Sequence, residues 1–380
     1  MTKRQRMLAW ALALALPPLF VRGCLLDSYA IQSASMEPAF HGDDGGGGDQ
    51  LLVLRHGADP RDLQRFDAVV LDGSIDPELP AGVGAVLKRV AGLPGEYLHV
   101  EGGDLFAGPG PRPPLVRKPD ALVQGLLVPM AESDTLDAPW TWVGPGTREP
   151  LPGGGVRLSA GSEEALALYG QLIDDGLPGR PGRESVADTA LRAEVGEGDA
   201  TLELTLREGA DLFKARLGSE RAGGGATLWH NLGGVVASDP GFPGLRPGQS
   251  VLVWNVDNGL RLRVDGEPVL AWDYERNAPQ PPGAPWHNEP SLAVQAGSLE
   301  LRRVAVLRDL HYGAQGVIGT GADNACHIGP ALLFVLGDHS ADSRDSRYVG
   351  PVPLDSVRGR PIAIYRPASR RAWLDPAGLP

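Results

Sequence analysis

The chain has 380 residues, 42% of them hydrophobic, which suits two domains or one large one and leaves too much apolar content for a disordered chain. A net charge of −12 and a pI near 5.2 argue against a nucleic-acid binder, and two cysteines, Cys24 and Cys326, exclude a disulfide scaffold and a cysteine-rich zinc site. Of 35 basic residues only four are lysines, Lys3, Lys88, Lys118 and Lys214, in a chain that otherwise writes arginine.

Lys3, Arg4 and Arg6 precede an uncharged run from Met7 to Val21. A spanning helix needs about 20 apolar residues. Extension to Leu26 takes in Arg22, which can snorkel, while Pro17-Pro18 weakens the helix. One reading of residues 1–26 is a cytoplasmic tip and membrane anchor with the N-terminus inside. A cleavable signal peptide ending at Ser28-Tyr29-Ala30 and a lipoprotein signal ending at Cys24 are the competing readings. All three export the rest of the chain.

Residues 27–106 read as short strands, among them Leu51–Leu54, Ala68–Leu71, Val83–Val90 and Tyr97–Val100, interrupted by a Gly-rich loop from His41 to Gln50 that is flexible by composition. Residues 107–127 are Pro/Gly-rich and read as a linker. From 128 to 312 the pattern changes. Thr201 to Leu206 alternates as a half-buried strand does, and Asp257-Asn258-Gly259 and Asp265-Gly266 mark hairpin turns between strands at Val251–Trp254, Leu260–Val264 and Pro268–Trp272. Leu299 to Leu307 alternates again. Many strands at short spacing predict a β-sandwich. Six of the eight tryptophans lie here and are read chiefly as core, with a sugar-binding surface as the alternative. Residues 313–380 return to the first pattern, with strands at Leu332–Leu336 and Pro361–Tyr365, so the sandwich is inserted into an outer β-domain.

No HExxH zinc motif and no GxSxG nucleophile elbow occurs. His339, between Asp338 and Ser340, is the best histidine for a Ser–His–Asp arrangement, although a loop histidine in that setting more often makes ordinary hydrogen bonds. Lysine offers a second route. Arginine cannot lose its proton at ordinary pH, whereas a buried lysine can act as a base. Lys88 lies in the strand Ala85 to Val90, where pattern alone predicts a solvent-facing side chain. Ser33 and Ser35, one residue apart on an extended strand, would point to the same side, one to attack and the other to donate to an oxyanion.

Five segments, in order, carry more. They are Ser33-Ala34-Ser35-Met36-Glu37-Pro38, Gly48-Asp49 through Val53, Arg65-Phe66-Asp67-Ala68-Val69-Val70, Lys88-Arg89-Val90-Ala91-Gly92-Leu93-Pro94-Gly95-Glu96, and Gly337-Asp338-His339-Ser340-Ala341-Asp342-Ser343-Arg344-Asp345-Ser346-Arg347. Together they resemble the type I signal peptidase (leader peptidase) family, over about 130 residues split around the insert. The resemblance implies a mainly β protein: a signal-peptidase-type β-fold interrupted by a jelly-roll-like β-sandwich and preceded by one N-terminal membrane helix. It implies Ser35 as nucleophile, Lys88 as general base, and Ser33 with the Ser35 N–H as oxyanion donors. Ser343 would hydrogen-bond and orient Lys88, Asp345 and Arg347 would form an ion pair holding the loop, and Asp338 and Arg89 are supporting residues of less defined role. No metal or cofactor is implied. The implied partners are secretory preproteins with small residues at the first and third positions before the cut, and membrane lipid. The implied location is the outer face of the inner or plasma membrane, which favours the anchor among the N-terminal readings.

The chain departs from the family pattern at His339, where asparagine is usual, and at Ser340, where many members have arginine. The insert resembles concanavalin or laminin-G sandwiches in pattern only. It leaves open an unidentified ligand, a role in recruiting substrates, or a different protein altogether: an exported binding protein whose peptidase domain is degenerate.

Overall fold

The computed structural model describes residues 25–43, 47–55, 62–79, 82–161, 164–275 and 288–380. The chain forms two compact units, one of residues 1–101, 105–115 and 314–380, the other of 102–104 and 116–313. The expected membrane anchor falls almost entirely outside the described residues. Leu26 is already in a strand, and among the described residues no helix is long and apolar enough to cross a membrane.

The first unit holds an eight-stranded and a three-stranded sheet, and the larger one carries the site. Its early strands are β1 (Leu26–Ala30), β2 (Gln50–Leu54), β3 (Ala68–Asp72) and β4 (Ala85–Gly92). The order across the sheet is β1, β2, Val357–Arg366, β3, β4, Leu332–Leu336 and Val352–Pro353. β3 and Leu332–Leu336 are continuous apolar runs rather than alternating ones, which suits strands covered on both faces. In β3 the alternation of side chains divides the run between two cores. Ala68 and Val70 pack with Met36, Phe40, Leu51 and Val53 on one side, Val69 and Leu71 with Val90, Leu333 and Val335 on the other. β4 joins β3 antiparallel, with Val69 opposite Lys88 and Ala68 opposite Arg89.

The second unit is a β-sandwich of an eight-stranded and a seven-stranded sheet. Alternating apolar residues of both, such as Leu191, Val253, Leu262 and Val306 from one and Leu202, Leu204, Ala215 and Leu292 from the other, share one core. The hairpins expected from sequence are present. Asp257 and Asn258 take φ of 49° and 56° between Ser250–Val256 and Gly259–Val264, and Asp265 and Gly266 take 53° and 81° before Glu267–Asp273. Two successive positive φ values are what a tight two-residue hairpin requires. The tryptophans divide between settings. Trp140 lies in the inter-sheet core, Trp254 packs on the outer face of the eight-stranded sheet, and Trp142, Trp229 and Trp272 stay half exposed.

The stretch read as a linker is structured where it enters this unit. A helix at Asp120–Leu126 lays Val123 against Ala190, Trp254 and Leu307. Just before it, Lys118 is buried, its Nζ 2.6 Å from Asp257 Oδ1 and 2.9 Å from Asp309 Oδ2. The Asp257 carboxylate also accepts the Lys118 backbone N–H at 2.7 Å. Burial by itself would lower the lysine pKa, but Asp257 and Asp309 outweigh it and hold Lys118 charged well above the ordinary range. Pro/Gly composition could not show this, because the partners lie 139 and more residues away.

Lys118→Met is therefore expected to leave two buried carboxylates without their cation and to destabilise the sandwich by about 3–5 kcal/mol. Thermal or urea denaturation followed by circular dichroism checks this, and a loss below about 1 kcal/mol would show the ion pair to be dispensable.

Candidate functional site

Four segments of the first unit meet around Lys88: the turn at residues 33–36, β4, the turn after β3, and the 337–347 segment. Ser33 is extended (φ −122°, ψ 153°), but Ala34–Met36 is a turn of 3₁₀ helix and not the extended strand expected from sequence. The turn still brings the two hydroxyls together, with Ser33 Oγ 3.2 Å from Ser35 Oγ. It is held from below by Met36, which is 1% exposed among Phe40, Leu51 and Leu87. The Ser35 carbonyl accepts the His339 backbone N–H at 3.1 Å, so the replaced asparagine position contributes a main-chain bond that any residue could supply.

Lys88 is 5% exposed, not solvent-facing as pattern alone suggested, because both faces of its strand are covered. Its Nζ lies 2.9 Å from Ser35 Oγ, which is itself buried. Burial is the main influence on the amine and pushes its pKa below the ordinary lysine value. Asp345, Asp338 and Asp76 act the other way, and Arg347 reinforces the lowering. A buried amine biased toward its neutral form and in hydrogen-bond contact with a serine hydroxyl can take that proton.

The carboxylates near the amine are paired elsewhere. Arg347 and Asp345, with fully buried side chains, make a two-point pair at 2.9 and 2.8 Å. Arg347 also donates to the Ser340 hydroxyl and to its carbonyl, so the serine that replaces the family arginine serves as an acceptor. Asp345 caps the Ser346–Val349 helix through the Arg347 N–H and accepts the Gly337 N–H at 3.0 Å. Arg89 makes the second two-point pair, with Asp338 at 2.6 and 2.5 Å, and donates to the carbonyls of Phe66 and Ala377.

Ser343 departs from expectation. Its hydroxyl is buried and has no hydrogen-bond partner among the described residues, so the bond to Lys88 is not made. The amine is engaged with Ser35 Oγ instead, and Ser343 is directed against Gly337. A Cβ at Gly337 would fall 2.2 Å from Ser343 Oγ and 2.5 Å from the Ser35 carbonyl oxygen, so only glycine admits this approach.

Two residues were not singled out by sequence reasoning. Asp76 follows the 3₁₀ turn Gly73–Ile75 after β3, and Arg344 meets it with Nε 2.7 Å from Oδ2 and a second nitrogen 3.3 Å from Oδ1. Asp76-Pro77 reads only as a turn, and Arg344 only as a polar loop residue. A fourth clamp joins Arg370 to Asp49 at 2.8 and 2.9 Å, with the Ala39 carbonyl as a further acceptor, and fixes the chain after the serine turn.

A family model described as signal peptidase, peptidase S26, matches residues 3–108 and 246–366, more than half of the chain. No curated protein matches. Similar solved structures include a protein of unknown function with a galectin-like fold from Bacillus subtilis, at 12% identity over 48% of this chain and 97% of that chain, with a TM-score of 0.34. Lectin II from Ulex europaeus is similar at 10% identity over 47% of this chain and 96% of its own, with a TM-score of 0.32. Bacillus licheniformis β-glucanase is similar at 9% identity over 47% and 97%, with a TM-score of 0.32.

The two buried lysines are expected to titrate in opposite directions. In a nitrogen-15 NMR titration of the lysine side chains, Lys88 should deprotonate below the ordinary lysine value of about 10.4 and Lys118 above it. Titration of both together near that value would contradict the electrostatics of the site.

Proposed function

The chain belongs to the signal peptidase, peptidase S26, family, and we propose that it is a serine endopeptidase that removes N-terminal signal peptides from secretory preproteins, with Ser35 as nucleophile and Lys88 as general base. The observation that carries this reading is the 2.9 Å contact between Lys88 Nζ and Ser35 Oγ in a buried site.

In this reaction the neutral Lys88 amine takes the Ser35 hydroxyl proton as Oγ bonds to the scissile carbonyl carbon. The electron pair of the C=O moves to oxygen, and the Ser33 hydroxyl and the Ser35 backbone N–H donate to that oxyanion. Collapse breaks the C–N bond, and the Lys88 ammonium hands its proton to the departing amine. A water then gives a proton to Lys88 and attacks the acyl carbon. The second collapse frees the carboxylic acid and returns the proton to Ser35 Oγ. Ser343 is the buried hydroxyl available to orient the amine while Ser35 is acylated. Asp345–Arg347 and Asp338–Arg89 hold the surrounding segments.

Preproteins with small residues at the first and third positions before the cut are the substrates of this reading. Residues 1–26 anchor the enzyme, with its N-terminus cytoplasmic and the catalytic unit on the outer face of the inner or plasma membrane. An exported binding protein with a degenerate peptidase domain is disfavoured by the intact serine–lysine contact.

Ser35→Ala and Lys88→Ala are each expected to reduce preprotein cleavage by at least about 10³-fold with folding retained. Lys88→Arg should be equally inactive, since it keeps the charge and removes the base. Appreciable cleavage by any of the three sinks the dyad. For the wild type, kcat/KM should rise with pH through the Lys88 pKa, which lies below 10.5, because only the neutral amine accepts the proton. Gly337→Ala should lower cleavage by about 10²-fold through displacement of Ser35 or Ser343 by an added Cβ, on the scale known for small misplacements of reacting groups. An Ala variant with wild-type rates would show that the close approach is not needed.

A further inference from the structure

Three carboxylates bear on Lys88: Asp345 and Asp338 from the 337–347 segment, and Asp76 from the turn after β3. Arg347 is the opposing cation. Each carboxylate favours the charged amine and so opposes its use as a base. Asp345 and Asp338 are taken up by Arg347 and Arg89, in pairs whose side chains are at most 1% exposed. Asp76 is met by Arg344 at 2.7 and 3.3 Å. The carboxylate of that pair is 5% exposed and the guanidinium 38%. Arg344 also reaches Glu78 at 3.0 Å and lies over the Tyr348 ring at 5.6 Å. It stands between Ser343 and Asp345 in sequence, and Asp76 lies in the connection that leads to β4. The pair thus ties together two segments of the site that are 268 residues apart.

We propose that Arg344 is a positioning residue for the peptidase reaction: it engages Asp76 so that this carboxylate serves the guanidinium and not Lys88, and it holds the Ser343 segment against the turn leading to the lysine strand. The proposal rests on the reading of Lys88 as general base. Lysine at this position would keep the charge, and glutamine would leave Asp76, whose charge favours protonated Lys88, without its counter-ion.

The test is the pH dependence of kcat and KM for preprotein cleavage by the full chain. It compares wild type, Arg344→Gln, Arg344→Lys, Asp76→Asn and the Arg344→Gln/Asp76→Asn double variant, each checked for folding by circular dichroism. Arg344→Gln is expected to move the acid limb of kcat/KM upward by about 0.5–1 pH unit, a three- to tenfold loss on that limb. KM should change little. Arg344→Lys should stay near the wild-type limb, and the double variant should return to it. If Arg344→Gln does not fold, Asp76→Asn carries the test, since removal of the carboxylate should move the limb downward. An equal loss at every pH, or a double variant whose limb stays displaced, overturns the proposal and leaves Arg344 a structural contact. Failure of the dyad reading looks different: the wild type does not cleave, or Lys88→Ala remains active. Dyad dependence with a limb that none of the variants moves overturns the positioning role alone.

Discussion

Burial can bias an amine toward its neutral form only so far as the carboxylates around it are held by other cations. The first unit meets that constraint with arginine. Asp345 is held by Arg347, Asp338 by Arg89 and Asp76 by Arg344, so the three acids that bear on Lys88 all have a guanidinium in direct contact. Lys88 is left with a neutral neighbour, the Ser35 hydroxyl. Lys118 shows the opposite solution in the same chain. It is as thoroughly buried, but two carboxylates touch its amine and keep it charged. Residue type and burial alone do not distinguish an amine biased toward its neutral form from a structural cation. What distinguishes them is whether the neighbouring acids already have partners.

The same pairs account for how the site is assembled. Arg89 joins β4 to Asp338, the Phe66 carbonyl and the Ala377 carbonyl, which brings the middle of the sheet and the end of the chain together. Arg370 ties Asp49 and the Ala39 carbonyl. Each guanidinium offers several donors in a fixed plane, and here they tie down the turns and chain segments that flank paired strands.

Much of this was legible in the sequence because it depended on local chemistry. The Asp-Asn and Asp-Gly turns of the sandwich announced themselves through residues that tolerate positive φ, and the strands around them through alternation. The serines, Lys88 and the Asp345–Arg347 pair were found because ordered motifs carried a family resemblance, not because spacing placed them in contact. What stayed hidden was long-range or conformational. The partners of Lys118 and Arg344 lie 139 and 268 residues away. Ser35 lies in a turn whose outcome matches what an extended strand would have given, by different backbone geometry. Ser343 could be placed in the site from its motif, but its direction depends on how closely Gly337 approaches, which no pattern encodes.

Lys88 and Arg89 are neighbours on one strand, so their side chains leave it on opposite faces. The ladder that sets Val69 opposite Lys88 and Ala68 opposite Arg89 therefore does more than align two strands. A slip of one residue would exchange the two cations, sending a permanently charged guanidinium to the serine and an amine to the place where Asp338 and two main-chain carbonyls wait for a five-donor fork. Such a misaligned sheet would keep its hydrogen bonds but lose its chemistry. Fidelity of strand alignment is in that sense a condition for the proposed reaction, and the apolar residues that enforce it share in setting whether the lysine or the arginine meets the serine.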